Sequence, residues 1–291
     1  MKKIASLGCE NSHAATFLDF IYNTEDYKGI EVIGVYSNEP AASKALNEKF
    51  GVPVLENYTD AVGKIDGLII TARHGDLHYE YAKPYIESGI PMFIDKPVTI
   101  KESDAIEFMK QLKSHGIRVC GGSSLKQDFG VQTLKKEREE SVDGETLGGF
   151  VRAPIDMESV YGGFYFYAPH LVEVVSEIFG KYPLSVEASK NGKITSVKFN
   201  YGSYTVNGIF VDGNYVYYAC RFADKSVKGM NLESTPEHNW FKGEFNEFYA
   251  MLGGADSHVS YRDFISSVFV MNAIDRSLAS GKEEKVNTYE V

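Results

Sequence analysis

The chain has 291 residues, 43% apolar and 24% charged, with a formal net charge of −10. That length supports one large or two ordinary domains around a sizeable core, and the acidic balance without a basic stripe argues against nucleic acid as a partner. Three cysteines, Cys9, Cys120 and Cys220, are odd in number and far apart, and the seven histidines show no ligand spacing. Neither a disulfide framework nor a metal centre is indicated, and a reducing, cytoplasmic setting is expected. The apolar stretch after Met1-Lys2-Lys3 is too short for a signal peptide, and no run reaches membrane-spanning length.

Over the first 120 residues, strand and helix signals alternate. Residues 3–7, 31–36, 67–71, 91–95 and 117–120 read as strands. Residues 12–24, 40–50, 76–88 and 101–115 read as helices, the second opened by Pro40 and the last with Ile106, Met109 and Leu112 on one face. Strands separated by helices of this length imply right-handed βαβ units and a parallel sheet.

The character changes after Gly121-Gly122. A helix-cored polar stretch over 124–145 precedes long alternating segments at 148–153, 184–189, 194–201, 204–211 and 214–222. Aromatic residues crowd Tyr215-Val216-Tyr217-Tyr218, as strands favour, and Asp212-Gly213 is a hairpin signal. One helix, 169–179, lies among these strands, and helices near 242–252 and 261–280 close the chain. The expected class is α/β. A Rossmann-like parallel-sheet domain would occupy 1–121. An α+β domain with a mainly antiparallel open sheet would occupy 122–291, its last helices packing back toward the first domain.

Two turns carry candidate chemistry. Gly8-Cys9-Glu10-Asn11-Ser12-His13-Ala14 stands between the first strand and first helix, the place of the dinucleotide fingerprint G-x-G-x-x-G/A. Only its first glycine is present: Glu10 replaces the second and His13 the third. The loop reads either as a degenerate cofactor loop or as a helix start capped by Asn11 or Ser12. The second strand ends in Tyr36-Ser37-Asn38, where NAD-binding proteins usually place an acid for the ribose hydroxyls. Ser37 cannot give that carboxylate grip and leans weakly toward NADP. The other turn follows Met92-Phe93-Ile94-Asp95-Lys96-Pro97, an apolar run ending in an acid and a base. In open α/β sheets ligands bind beyond the carboxyl ends of strands, so Lys96 is placed near a reacting group.

The stretch Ile65-Asp66-Gly67-Leu68-Ile69-Ile70-Thr71, then Leu77-His78, Glu87-Ser88-Gly89 and Phe93-Ile94-Asp95-Lys96-Pro97 resembles the Gfo/Idh/MocA family of oxidoreductases (glucose-fructose oxidoreductase, inositol dehydrogenase and relatives). Residues 162–180 and 245–285, through Ala273-Ile274, Ser277, Ser280 and Gly281, extend the likeness over nearly the whole chain. The resemblance implies a Rossmann domain for NAD or NADP and a C-terminal sheet for a small-molecule substrate and for dimer or tetramer contacts.

It places the cofactor against Gly8, Glu10, Asn11, Ser12, His13, Ser37, Asn38, Thr71, Ala72, His78, Asp95 and Lys96. It maps the family lysine to Lys96 and its histidine to His170, which as the second residue of a helix would be kept neutral by the helix dipole. The chain departs from the pattern at Phe166, where the family has the aspartate that pairs with the histidine, and at Ala168. Tyr161, Tyr165 or Tyr167 could supply a proton instead, and Tyr167 is taken as the third catalytic candidate. Lys126 falls near a basic position early in the second domain. Two functions follow: an NAD(P)-dependent oxidoreductase acting on a sugar, polyol or similar hydroxyl compound, or a family fold retained for small-molecule binding or regulation after losing its chemistry.

Overall fold

The computed structural model describes residues 1–291 and divides into two units. The first comprises Met1–Gly122, Phe241–Phe264 and Val291, and the second Ser123–Trp240 and Ile265–Glu290.

The first unit begins with β1 (Lys2–Leu7), α1 (Ser12–Asn23), β2 (Ile30–Tyr36), α2 (Pro40–Phe50), β3 (Gly67–Ile70), α3 (Asp76–Ala82), β4 (Met92–Asp95), α4 (Glu102–Ser114) and β5 (Val119–Gly122). The sheet order is β2-β1-β3-β4-β5, and every pairing is parallel. β3, β4 and β5 are buried at every position, as expected of strands covered on both faces. One parallel bridge joins Val35 of β2 to Val54. The strand order reverses between β1 and β3. Ligands of such sheets bind at that point, past the strands' carboxyl ends.

The second unit holds α5 (Phe129–Glu139), β6 (Thr146–Ile155), α6 (Phe164–Phe179), β7 (Ser185–Asn191), β8 (Ile194–Asn200), β9 (Thr205–Asp212), β10 (Tyr218–Ala223) and β11 (Val227–Asn231). The chain then gives α7 (Trp240–Leu252) and α8 (Tyr261–Phe264), and closes with α9 (Ser266–Ser280) and β12 (Glu284–Lys285). The seven-stranded sheet runs β11-β10-β6-β9-β8-β7-β12. All its pairings are antiparallel except β6 with β9. Its core joins the apolar side of α6, including Leu171, Val174, Val175 and Ile178, to Val197, Phe199, Val206 and Phe210 of the sheet and to Met271 and Ile274 of α9.

Two expectations are corrected here. Asp212-Gly213 makes no hairpin between β9 and β10, because β6 lies between them and pairs with both. The tight turn falls at Gly192, between the antiparallel β7 and β8. The helix expected from residue 261 to 280 is interrupted at Ile265, which leaves helical geometry between α8 and α9.

In the first unit, α7 supplies Phe245, Phe248, Met251 and Leu252 to a core shared with Phe17 and Leu18 of α1, Tyr27 and Phe93. Phe17 stands 5.0 Å from both Phe93 and Phe245, edge-on to the first. This packing anchors α1, and with it the loop after β1. No helix is long and apolar enough to cross a membrane.

Candidate active site

The loop after β1 is fixed by its one glycine. Gly8 has φ +74°, and a Cβ built there would come within 2.3 Å of the Ala72 amide nitrogen. Only glycine permits both the backbone conformation and so close an approach of β1's end to β3's end. The Thr71 hydroxyl donates to the Gly8 carbonyl at 3.1 Å and fastens the same junction. Asn11 is the N-cap of α1, its side chain accepting from the His13 amide at 3.4 Å. Cap and cofactor loop were alternatives on sequence grounds; the structure shows the cap at the start of a Rossmann-type first helix.

Glu10 turns sideways along the strand ends. Its Oε2 accepts from the Ser37 hydroxyl at 2.6 Å and its Oε1 from the Arg73 amide at 2.9 Å. Ser37 Oγ in turn accepts from the Glu39 amide at 3.0 Å. The carboxylate is thus held between the residue after β2 and the segment after β3, and it is nine-tenths buried. Ser12 and Asn38 are exposed beside it.

A second cluster gathers at the end of β4. Asp95 is fully buried. Its Oδ2 accepts from Asn11 Nδ2 at 2.8 Å and lies 2.8 Å from His13 Nδ1, while Oδ1 accepts from the Lys96 amide at 2.7 Å. The His13 contact is a close approach of ring nitrogen and carboxylate, both buried. On its other side His13 Nε2 is 3.8 Å from Glu244 Oε2 of α7, and its ring meets Phe241 edge-on at 4.8 Å. Burial opposes the charge on Asp95, but His13, Lys96 and His78 outweigh it and hold its carboxyl below the ordinary 3.8. Lys96 is itself 4% exposed, and the Asp95 carboxylate supplies the opposite charge that a buried lysine needs.

Two residues of the expected cofactor-binding set are turned into the protein. His78 is completely buried, with Nδ1 2.7 Å from the Pro97 carbonyl and Nε2 2.8 Å from the Ala72 carbonyl. Both ring nitrogens face carbonyl oxygens of the protein, of which a neutral imidazole donates to one, and the ring lies between the segments following β3 and β4. His13 is likewise turned inward, to the Asp95 and Glu244 carboxylates. A glycine there would let helix and sheet approach closely; here the space is taken by an imidazole that the protein's own acids accommodate.

In the second unit, α6 begins five residues before Pro169, so His170 occupies its second turn. The dipole argument for a neutral imidazole is corrected accordingly, because that field is strong only in the first turn. The signal overlooked is Gly162-Gly163: Gly163, with φ +56°, is the N-cap residue, and its Cβ would stand 3.0 Å from the Met157 carbonyl. His170 Nδ1 is 2.7 Å from Ser123 Oγ, and the Ser123 amide donates to Glu173 Oε2 at 2.8 Å. Lys126 Nζ is 3.1 Å from the same oxygen, and the Ser267 hydroxyl donates to Glu173 Oε1 at 3.4 Å. Ser123 therefore stands against one ring nitrogen of His170 and is itself tied to Glu173.

Neither Ser123 nor Glu173 was marked from sequence, although Glu173 follows His170 by three residues, which puts both on one helix face. Tyr167 lies 5.6 Å from the His170 ring and 5.7 Å from Tyr215, with Tyr217 6.1 Å from His170. The Tyr165 hydroxyl is directed to Asp275 at 3.2 Å, and the Tyr161 ring rests on Phe166 at 5.4 Å. Of the three tyrosines weighed, Tyr167 is the one whose ring adjoins the histidine.

A parallel sheet reversing at β1 and β3, a glycine-turned loop leading into a capped helix, and a buried acid-base pair at the next strand end define a Rossmann-type dinucleotide-binding protein. Residues 2–123 match the family model GFO_IDH_MocA, an oxidoreductase family with an NAD-binding Rossmann fold. It is 28% identical to the Escherichia coli protein named "Uncharacterized oxidoreductase YhhX", over 39% of this chain and 35% of that one. The chain thus spans about a third of that relative's length.

Among solved structures, a myo-inositol dehydrogenase from Corynebacterium glutamicum superposes with a TM-score of 0.83 at 14% identity, covering 99% of this chain and 100% of the other. The WlbA dehydrogenase from Chromobacterium violaceum, in complex with NADH and UDP-GlcNAcA, gives a TM-score of 0.79 at 18% identity over 99% and 97% of the chains. At these identities the likeness concerns the fold. The matches lend no support to a fold kept only for binding or regulation, nor to the lean toward NADP drawn from Ser37.

Proposed function

We propose that the protein is an NAD(H)-dependent oxidoreductase moving hydride to or from a hydroxyl-bearing carbon of a sugar, polyol or related small molecule. The observation that carries this is Lys96: a buried lysine at the carboxyl end of β4, followed by Pro97 and with its amide anchored on Asp95. The residues present fit a dinucleotide, since Gly8 gives the tight turn into α1 and Glu10 is drawn aside onto Ser37 and the Arg73 amide. Residues Gly8, Glu10, Asn11, Ser12, Ser37 and Asn38 would hold the dinucleotide, and its nicotinamide would supply or accept the hydride.

The protein's own groups handle charge and protons. The Lys96 ammonium stabilises negative charge on the substrate oxygen. His170 takes or returns the hydroxyl proton, with Tyr167 as a second proton carrier. With Nδ1–H donating to Ser123 Oγ, His170 keeps its basic lone pair on Nε2. Ser123 and Glu173 thereby position the base in place of the missing aspartate. The rings of Tyr167, Tyr215 and Tyr217 offer apolar faces suited to the C–H surfaces of a sugar or cyclic polyol. We further propose a cytoplasmic homodimer or homotetramer, in which the side of the seven-stranded sheet bearing Glu187, Ser196, Lys198 and Asn207 meets another copy.

Cofactor binding and turnover separate these roles. Lys96→Ala is expected to lower turnover about 10²–10⁴-fold, while NADH affinity, followed by fluorescence transfer from Trp240 and the tyrosines, changes little. Equal loss of both would remove Lys96 from the chemistry. Ser123→Ala is expected to cut kcat and shift its pH profile while leaving KM for the cofactor unchanged. An unaltered pH profile would reduce Ser123 to a packing residue.

A further inference from the structure

We infer that Glu10 is the ribose-binding acid of this protein, supplied by the first loop instead of by the end of β2, and that it selects NAD over NADP. The inference rests on the dinucleotide reading above.

In dinucleotide-binding sheets, an acid at the end of β2 hydrogen-bonds the adenine ribose hydroxyls, and its negative charge disfavours a 2′-phosphate. In this chain β2 ends at Tyr36 and is followed by Ser37, so no acid stands there. The structure nevertheless puts a carboxylate beside that position. Glu10 Oε2 is 2.6 Å from Ser37 Oγ, and the Glu39 amide donates to the same hydroxyl at 3.0 Å. This chain of donors orients the serine proton onto the acid. The Arg73 amide, 2.9 Å from Oε1, fixes the other oxygen.

Two hydrogen bonds therefore hold the carboxylate at the end of β2 from two sides, and a carboxylate has about four acceptor positions. The remaining two suit a vicinal diol, whose two hydroxyls both donate. A phosphate on the same ribose would bring like charge against a nine-tenths buried acid, which is repulsive and poorly screened. The substitution of Glu10 for the fingerprint's second glycine and that of Ser37 for the usual acid are then one change. The carboxylate has moved from one strand end to the neighbouring loop, and the serine left behind has become its hydrogen-bond donor.

The test is direct binding, by fluorescence or calorimetry, of NAD+ and NADP+ to the purified full-length protein and to Glu10→Ala, Glu10→Gln and Glu10→Ala/Ser37→Asp. Charge-assisted hydrogen bonds of this kind make Glu10→Ala about 10–100-fold weaker for NAD+. NADP+ binding should be unchanged or improved, so that the preference for NAD+ collapses. Glu10→Gln should fall between, and the double variant, which returns an acid to the end of β2, should recover the preference.

Glu10→Ala binding NAD+ as tightly as the parent, or more tightly, would overturn the inference and identify the side chain as an obstacle. Equal weakening toward both dinucleotides, without rescue by Ser37→Asp, would overturn it in favour of a purely structural role. Failure of the unmodified protein to bind either dinucleotide would instead count against the oxidoreductase reading. Ligand-free melting of each variant shows whether the loop itself survives.

Discussion

Replacing Gly8 by alanine would set a Cβ 2.3 Å from the Ala72 amide nitrogen at a residue already in left-handed backbone. Strain of that kind costs about 1–3 kcal/mol before any clash is counted. We expect Gly8→Ala to lower the urea midpoint and to abolish dinucleotide binding, since the β1–β3 junction must open. A protein binding NADH normally with alanine there would show that the loop tolerates more movement than its contacts suggest.

His78 gives a pH prediction. Burial pushes its pKa below the ordinary 6.5, against the raising influence of Asp95 and of the two carbonyls. The folded protein therefore binds fewer protons than the unfolded chain below about that pH, and stability falls as the medium is acidified. Asp95, also depressed, adds its own loss below about its ordinary 3.8. Urea midpoints measured from pH 8 to 5 should decline with onset near 6.5. A flat profile would mean that His78 keeps its proton in the fold.

At this scale the sequence shows residue types but not the direction of side chains. Glu10 and His13 both read as obstacles to a cofactor loop. Their rotamers send one along the strand ends to Ser37 and the other inward to Asp95 and Glu244.

Among elements, α7 joins the core of a sheet formed more than a hundred residues earlier in the chain. Phe245 is fully buried and meets Phe17 at 5.0 Å and Tyr27 edge-on at 4.7 Å. Phe245→Ala is expected to cost about 3–5 kcal/mol, read as a loss of denaturation midpoint. An effect near 1 kcal/mol would mean that the cavity collapses.

Most helices and strands of the first unit were legible, because buried parallel strands are short apolar runs and the covering helices are amphipathic. Two local signals misled, one overruled by tertiary pairing and the other by a nearby helix cap. Asp212-Gly213 has turn chemistry, yet β6 claims the flanks of both β9 and β10. Pro169 suggested a helix start, yet Gly163 sets it five residues earlier and the proline is tolerated inside.

For the molecule as a whole, the proposed function predicts coupling between ligand and stability. NADH at a hundred times its Kd should stabilise whatever cooperatively unfolding part holds it by about 2.7 kcal/mol, seen as a rise in melting temperature. NADPH at the same concentration should raise it less. Identical shifts, or none, would count against an NAD-selective site.

The amino-acid order by itself determined the alternation of strand and helix, the parallel sheet, the change to an aromatic-rich open sheet, and the placement of Lys96 at a strand end. These depend on periodicity and turn residues, which are local. Only the tertiary structure decided that, of the closing helices expected to pack back, α7 and α8 join the first unit while α9 stays with the second, that Ser123 and Glu173 stand behind His170, and that the carboxylate of Glu10 rests at the end of β2. Each of those contacts brings together residues far apart in the chain or depends on side-chain direction. Such pairings are settled by packing and by the need of buried polar groups for partners.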